Sequence, residues 1–431
     1  MWPYHPDLLA QPVPRYTSYP PATTFTANVG AVQQAEALNA VAAGTAVSIY
    51  VHIPYCHSIC WYCGCNTGLA GKRQRLTSYI DALEAEIRLV ARMLGGRARV
   101  TRIALGGGSP NAIEPIAFVR LIDQIVTTFA TGEPEISVEI DPRNFDLEWA
   151  MTLAISGVNR VSFGVQSFDP DIQAAIGRIQ PVEMIETCIA ALRARGVRSI
   201  NFDLMYGLPA QTIDKLDRTL DHVTRMLPDR IALFGYAHLP DMFPRQRRID
   251  AASLPDAKAR FDMATHGHDR LVAAGYCAIG FDHFALPHDH LAKAAQTNSV
   301  HRNFQGFTDD DNDVVIGLGA TAISIFPDRI IQNEKNVGAY RARCASASLS
   351  GQRGVMRGKA ACRSAAIIEQ ILCANRAQFD KAGIAEAELA RLQPFLSRGL
   401  VSLDDGILHV REAARPYARH IASAFDATMV D

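Results

Sequence analysis

No apolar run in the 431 residues reaches the roughly 20 that a membrane-spanning helix needs, so no transmembrane segment is expected. Neither sign of charge is in surplus, with 43 Lys and Arg against 44 Asp and Glu. The basic excess typical of a nucleic-acid-binding protein is missing, and that class is set aside. The start, Met1-Trp-Pro-Tyr-His-Pro6, has no charged stretch followed by an apolar one, so no secretion signal is expected. Nine cysteines in a long chain are odd in number and do not suit a disulfide framework. There is no low-complexity tract and no obvious assembly helix. These absences point to a soluble, cytoplasmic, monomeric enzyme with reduced thiols. Its length leaves room for one domain of about 250–300 residues plus a smaller one.

Four of the nine cysteines fall together, in Tyr55-Cys-His-Ser-Ile-Cys-Trp-Tyr-Cys-Gly-Cys65. Cys56, Cys60 and Cys63 make a C-x3-C-x2-C triplet directly after a strand-like stretch, 47–53. Full protein ligation of a [4Fe–4S] cube takes four thiolates, so three on one loop leave an iron open to a small chelating molecule. Structural zinc prefers two pairs well apart in sequence, and no second pair occurs. Cys65 lies where the chain is already turning away, and it reads as a neighbour of the cluster. Cys188, Cys277, Cys344, Cys362 and Cys373 are scattered in apolar or helical surroundings and read as small core hydrophobes.

Residues 1–45, rich in Pro, Thr and Ala, read as an extended arm. From 46 to 245 strands and helices alternate. The strands at 47–53, 100–105, 135–140, 160–165, 199–205 and 230–236 are near-continuous apolar runs, as expected when both faces are covered. One helix is opened by Ser78 and Asp81 as a capping pair, with Ile80, Leu83, Ile87, Val90 and Leu94 on its buried stripe. Others are expected at 116–129, 147–155, 182–195 and 212–227. Six β/α units predict an α/β fold with a partial parallel (β/α)6 barrel, a doubly wound sheet being the alternative. Residues 246–340 are expected to complete the barrel and cover the substrate, in a mainly helical pattern. Residues 341–431 read as a mainly helical, winged-helix-like domain, with a helix at 387–398 and a hairpin at 400–410 turning on Asp-Gly. Its wing carries Asp404 and Asp405 and no basic cluster, so packing or a lid role is expected over DNA binding.

Strand ends are where such a fold places its chemistry. Gly106-Gly-Gly-Ser109 follows the second strand and invites close backbone approach to a ligand. Glu139, Asp141, Gln166 and Asp203 end the next three strands and suit ribose hydroxyls or a ligand ammonium. His283 is a candidate for the same face. Thr308-Asp-Asp-Asp-Asn-Asp313 lacks the glycine and distal Glu of a calcium hand and reads as a solvated turn. His266, His268, His288 and His290 show no HExxH pattern and are not expected to hold a metal.

The cysteine triplet after the first of six β/α units resembles the radical S-adenosylmethionine superfamily. Further segments resemble one family within it, the oxygen-independent coproporphyrinogen III oxidases. They are Pro14–Pro20, Tyr50–Asn66, Gly106–Pro110, Glu139–Arg143, Gly164–Phe168, Asp203–Pro209, Tyr236–Pro240, His301–Gly306 and Thr321–Ser324. The resemblance implies a [4Fe–4S] cluster on Cys56, Cys60 and Cys63, with one S-adenosylmethionine near Tyr50, Tyr62, Gly107, Glu139 and Ile323. It implies a second S-adenosylmethionine near Gly108, Ser109, Gln166, Arg178, Asp203 and Ala237. It also implies coproporphyrinogen III as substrate and an electron donor such as flavodoxin or ferredoxin. Tyr50 and the three cysteines are the catalytic candidates. A substrate with four carboxylates needs cationic or hydrogen-bonding partners, for which Arg15, His301 and Arg302 are the candidates. Rival readings are a haem carrier of the same superfamily, another radical enzyme acting on a porphyrin, and a winged-helix regulator.

Overall fold

Strand β1 (Ala46–Ile53) is buried on both faces, with Val47, Ile49, Val51 and Ile53 almost fully enclosed. In β2 (Arg99–Gly107), β3 (Glu135–Ile140), β4 (Arg160–Gln166), β5 (Ser199–Tyr206) and β6 (Arg230–Gly235), fully buried residues are interleaved with half-buried ones. The computed structural model describes residues 2–379 and 383–429. These six strands lie side by side in chain order and run parallel. A doubly wound sheet reverses its order at a switch point, and no reversal occurs here. The strands therefore wind as a partial barrel, as the alternation of elements predicted.

Helices α1 (Ala31–Ala40), α2 (Arg73–Leu94), α3 (Pro115–Thr128), α4 (Leu147–Ile155), α5 (Pro170–Ala175), α6 (Val182–Arg193), α7 (Ile213–Met226) and α8 (Ala257–Ala273) cover the outside. Local chemistry starts several of them. The Asp146 carboxylate accepts the Trp149 N–H at 2.9 Å to cap α4, and Thr212 accepts the Lys215 N–H to cap α7. Helix α2 begins at Arg73, more than a turn before the expected Ser78–Asp81 cap. Ser78 lies inside it and donates to the Arg75 carbonyl. The expected stripe of α2 is buried, each large aliphatic contributing about 1.5–3 kcal/mol.

Two expectations are corrected. The chain after 245 is not mainly helical up to 340. It returns to short strands β7 (Cys277–Ile279), β8 (His283–Ala285), β9 (His301–Asn303), β10 (Gly306–Thr308), β11 (Val314–Leu318), β12 (Ile323–Phe326), β13 (Arg329–Asn333) and β14 (Gly351–Met356). β9 and β10 pair with each other as a separate hairpin, and the other six extend the sheet at both edges: β11 pairs parallel with β1, and β8 antiparallel with β6. The second correction concerns 308–313, which is no solvated turn. Asp309 enters the N-terminal end of the barrel, 3.1 Å from Arg102, 3.2 Å from Arg230 and 3.6 Å from Arg160. Burial works to raise the Asp309 carboxyl, but the three guanidiniums hold it well below the usual range. Arg160 also meets Glu135, and Arg230 meets Asp289, each at 2.7 Å. Asp289 caps α9 (His290–Gln296) by accepting the Leu291 N–H.

Helix α10 (Val337–Ala345) packs on α2, where Tyr340 donates to the buried Glu86 at 2.8 Å. The C-terminal part follows as α11 (Lys359–Ala374), β15 (Arg376–Gln378), α12 (Glu386–Leu396), β16 (Val401–Asp404), β17 (Ile407–Val410) and α13 (Ala418–Ser423). Its three strands form the expected wing. Asp405 and Gly406 both take positive φ, which matches the right-handed twist of a two-residue hairpin. Residues 1–45 are more than an extended arm, since α1 packs against β14. The arm is stitched to the C-terminal part: the Tyr16 hydroxyl donates to Asp426 at 2.9 Å, and the Tyr417 hydroxyl to the Pro3 carbonyl at 2.6 Å. Of the scattered cysteines, Cys188 and Cys344 are buried as expected. Cys362 is exposed on α11, where a helix facing solvent on one side needs no apolar filler.

Candidate active site

The loop after β1 leaves the barrel at Pro54 and returns at Gly68, whose N–H donates to the Pro54 carbonyl at 3.0 Å. Tyr55–Cys56 and Gly68–Leu69 pair in parallel at its base. The Trp61 N–H donates to the Ile176 carbonyl, and Arg248 stacks over the indole at 4.6 Å. The Gln246 amide donates to the Tyr62 carbonyl at 2.8 Å and the Ala237 carbonyl at 3.2 Å. The cysteines therefore ride on a loop pinned at its base, its middle and its far side.

The sulfurs meet donors suited to thiolates. Cys60 Sγ accepts from Arg178 Nη1 at 3.2 Å and Arg143 Nη2 at 3.3 Å. Both guanidiniums also face Asp141, at 3.5 and 2.6 Å. Burial alone would raise the Asp141 carboxyl, but Arg178 and Arg143 hold it below its ordinary value. Cys56 Sγ lies 3.3 Å from the Thr67 hydroxyl. A hydrogen bond from the Cys65 thiol brings the Cys63 thiol down to about 6, and the same bond pushes Cys65 up. The buried Nη1 of Arg245, one of the cations favouring the Cys63 thiolate, has no hydrogen-bond partner.

This donor set fits an iron–sulfur cube better than zinc. A tetrahedral zinc with 2.3 Å bonds brings its sulfurs to about 3.8 Å of one another. Among the described residues, the one group of three ligand atoms within 4.8 Å of each other is Glu135, His290 and Asp309 at the other end of the barrel, so the cysteine sulfurs are spread more widely. Asp309 there already faces three arginines.

Above the sulfurs stand the strand ends. The Gly107 N–H donates to Glu139 Oε2 at 3.2 Å. Gly107 has φ +110°, and a Cβ there would sit 2.0 Å from the His52 ring. A Cβ at Gly108 would sit 2.4 Å from the Tyr55 carbonyl oxygen. Protein atoms alone thus demand glycine at both positions. Burial, then Asp203, pushes the Glu139 carboxyl up to about 7. Burial also raises Asp203, although Asn201 and Ser162 donate to it at 2.8 and 3.2 Å. No cation neutralises this pair by a salt bridge among the described residues. Both carboxylates line a cavity of ≈ 690 Å³ with His283, Gln305 and Phe307. Tyr50 and Ile323 line the adjoining one with Gln332. A fixed, half-buried pair of carboxylates beside guanidinium-braced thiols suits a cationic ligand that also reaches a metal.

The radical SAM superfamily model matches residues 50–223. An oxygen-independent coproporphyrinogen III oxidase from Bradyrhizobium diazoefficiens is 41% identical over 96% of this chain and 94% of its own length. This chain belongs to the oxygen-independent coproporphyrinogen III oxidase family. The family's enzyme from Escherichia coli K12 is 36% identical over 96% of this chain and 92% of its own. A solved structure of coproporphyrinogen III oxidase from Escherichia coli, titled as a radical SAM enzyme, superposes with a TM-score of 0.92 over 99% of this chain and all of that one, at 33% identity. As a radical SAM oxidoreductase of this family, the chain uses a [4Fe–4S] cluster and S-adenosylmethionine.

Within this oxidase fold the expected residues divide by place. Cys56, Cys60, Cys63, Tyr62 and Arg178 meet at the loop; Arg178 donates to the Gly164 carbonyl at 2.9 and 2.6 Å besides its bond to Cys60. Tyr50, Gly107, Glu139, Asp203 and Ile323 line the barrel mouth. Gln166 adopts a positive φ of 66° at the end of β4. The Ser109 hydroxyl is buried and engaged, accepting the Asp141 N–H at 3.0 Å and contacting Asn111. Arg15, His301 and Arg302 lie apart from the loop, in the crevice between arm and C-terminal part. There His301 pairs with Glu369 at 3.1 Å. Sequence reasoning missed Arg143 and Gln246. Arg143 lies in the Glu139–Arg143 segment, where a carboxylate two residues before an arginine could have flagged the pair. Gln246 has no signal in the chain.

Proposed function

We propose that this chain converts coproporphyrinogen III to protoporphyrinogen IX without oxygen. Two propionate side chains become vinyl groups. Each loses a hydrogen atom from its β-carbon, then CO2 and one electron. When bound, the reduced cluster and S-adenosylmethionine supply a 5′-deoxyadenosyl radical, strong enough to take that hydrogen. The carrying observation is the cysteine loop braced by Arg143 and Arg178 together with the Glu139–Asp203 pair, which has no salt-bridge partner, in a chain that matches coproporphyrinogen oxidases over 96% of its length.

In this reading Cys56, Cys60 and Cys63 hold the cluster, and Arg178 and Arg143 screen its negative charge. Glu139 and the Gly107 backbone receive the ammonium end of one S-adenosylmethionine, with Tyr50, Tyr62 and Ile323 around it. Asp203, Gln166, Gly108, Ser109, Arg178 and Ala237 surround a second. The residues' work is to orient ligands and to exclude water and oxygen. A flavodoxin- or ferredoxin-type donor, a monomeric state and a cytoplasmic site complete the reading; no helix among the described residues is long and apolar enough to cross a membrane.

The test is an anaerobic turnover assay on protein reconstituted with iron and sulfide, given S-adenosylmethionine, a reductant and coproporphyrinogen III. Protoporphyrinogen, 5′-deoxyadenosine and methionine are the expected products. Deoxyadenosine without a vinyl product moves the substrate elsewhere, and neither product together with tight haem binding favours a carrier.

A further inference from the structure

Arginines from two distant parts of the chain stack on one aromatic surface, and the charge of a third, Arg15, reaches them. Arg302, on β9, lies 4.4 Å from the Phe307 ring centre and 4.9 Å from that of Phe281. Arg419, on α13, lies 5.6 Å from Phe281 on its own account. Arg15 comes from the arm, and its backbone carbonyl and that of Tyr16 accept from Arg302 Nη2 and Nε, each at 3.1 Å. Arg302 Nη1 is buried with no hydrogen-bond partner.

No carboxylate of the described residues lies within salt-bridge distance of any of the three. Asp282, bonded to His283 Nδ1 at 2.7 Å, is the acid whose field reaches Arg302 and Arg419, and one carboxylate is set there against three guanidiniums. At the N-terminal end of the barrel, arginines are matched by acids, as Arg102, Arg160 and Arg230 are by Asp309, Glu135 and Asp289. Here each guanidinium feels the others' repulsion, and burial lowers the pKa of both Arg302 and Arg419. Such an arrangement is costly in the free protein unless an anion completes it. Tyr206, which ends β5 three residues after Asp203, shares the fields of Arg15, Arg419 and Asp282. The site therefore borders the barrel mouth.

We infer that Arg15, Arg302 and Arg419 form one carboxylate clamp, which takes propionate groups of the substrate and holds the macrocycle over the barrel mouth. The inference rests on the proposed function and adds Arg419, which has no place in the cysteine loop or the strand ends. It separates Arg302 from its neighbour His301, because adjacent strand residues face opposite ways and His301 is turned to Glu369. The planar forks of guanidinium groups match carboxylates two bonds at a time. The arm contributes both a cation and the carbonyls that orient Arg302, so the clamp is complete only when the arm is docked.

The test uses full-length reconstituted protein and the stable, fluorescent tetracarboxylate coproporphyrin III, with its tetramethyl ester as the uncharged counterpart. Arg419→Gln and Arg15→Gln are each expected to weaken tetra-acid binding by about tenfold or more, the loss of a charge-assisted pair. Arg419→Lys should recover part of the affinity, and Arg88→Gln, on the exposed face of α2, should change nothing. Ester binding should be weak and equal in all of them. Unchanged tetra-acid affinity in Arg419→Gln overturns the clamp, as does an equal loss of acid and ester binding, which would mark Arg419 as a packing residue. If Arg419→Gln loses its cooperative melting, Arg15→Gln on the exposed arm decides by the same criterion. Normal wild-type turnover with unaffected variants sinks the clamp alone. Wild-type protein that binds neither form and makes no vinyl product sinks the functional reading.

Discussion

The two ends of the barrel are built from the same residue types and handle charge in opposite ways. At the N-terminal end, Arg102, Arg160 and Arg230 meet Asp309, Glu135 and Asp289 at 2.7–3.2 Å. At the C-terminal end, Glu139 and Asp203 lie half-buried in the cavity wall with no salt-bridge partner, and Glu139 is raised to about 7. Beside them Arg15, Arg302 and Arg419 have no carboxylate at salt-bridge distance among the described residues, Asp282 alone reaching Arg302 and Arg419 with its field. Compensated charge closes a fold. Uncompensated charge of both signs, kept a short way apart, is what a ligand carrying both an ammonium and carboxylates, or two ligands side by side, would complete. The cost in the free protein is the mark of the functional end.

The sharpest way to break this contrast is at the cysteine loop. Replacing Cys60 with Ala is expected to abolish the brown colour and vinyl formation together, while the melting temperature of the cluster-free protein stays near that of cluster-free wild type. Turnover retained in that variant would sink the assignment.

A second experiment reads the mouth through pH. The Glu139 carboxyl has its ordinary value of 4.5 when unfolded and about 7 when folded, so the folded state binds this proton more tightly. Its contribution to stability is full below 4.5, is lost as pH rises to about 7 and is level above. The difference is worth about 3 kcal/mol. Denaturant titrations of ligand-free protein across that window should show the fall, and Glu139→Gln should flatten it. S-adenosylmethionine, if its ammonium binds the ionised form, should bind more tightly as pH rises through about 7 and release a proton, which calorimetry in two buffers detects.

The smallest expected effect lies far from both ends. Gly406 has φ +75° with open space around it, so Gly406→Ala meets only backbone strain. It should cost about 1 kcal/mol in the wing and leave turnover alone.

The six barrel strands were legible because each is short and carries β-branched or large apolar residues that become fully buried, and the cysteine triplet because its spacing has few other uses. The edge strands from 277 to 356 were not. They span three to six residues each, too few for periodicity to register, and take their shape from pairing with distant partners. The acidic run at 308–313 reads as a solvated turn in one dimension, since its three arginine partners come from three different strands. The start of α2 was misplaced at Ser78 because a good capping pattern also occurs inside a helix that tertiary packing extends, while its end at Leu94 matches the expected stripe. Arg419 gave no signal at all. What distinguishes it is its convergence with Arg302 and Arg15 without a salt-bridge partner, and only the folded chain shows that.

The most direct measurement is a paired one, on Asp309→Asn and Asp203→Asn. Each is followed by denaturant unfolding and by S-adenosylmethionine binding. Asp309→Asn leaves three buried guanidiniums short of a partner and should cost about 3–5 kcal/mol, with binding intact in the protein that folds. Asp203→Asn relieves a desolvated carboxylate and should leave stability unchanged or raised, while binding of the second S-adenosylmethionine is lost. The reverse pattern, with Asp203 carrying stability and Asp309 carrying binding, would contradict the account.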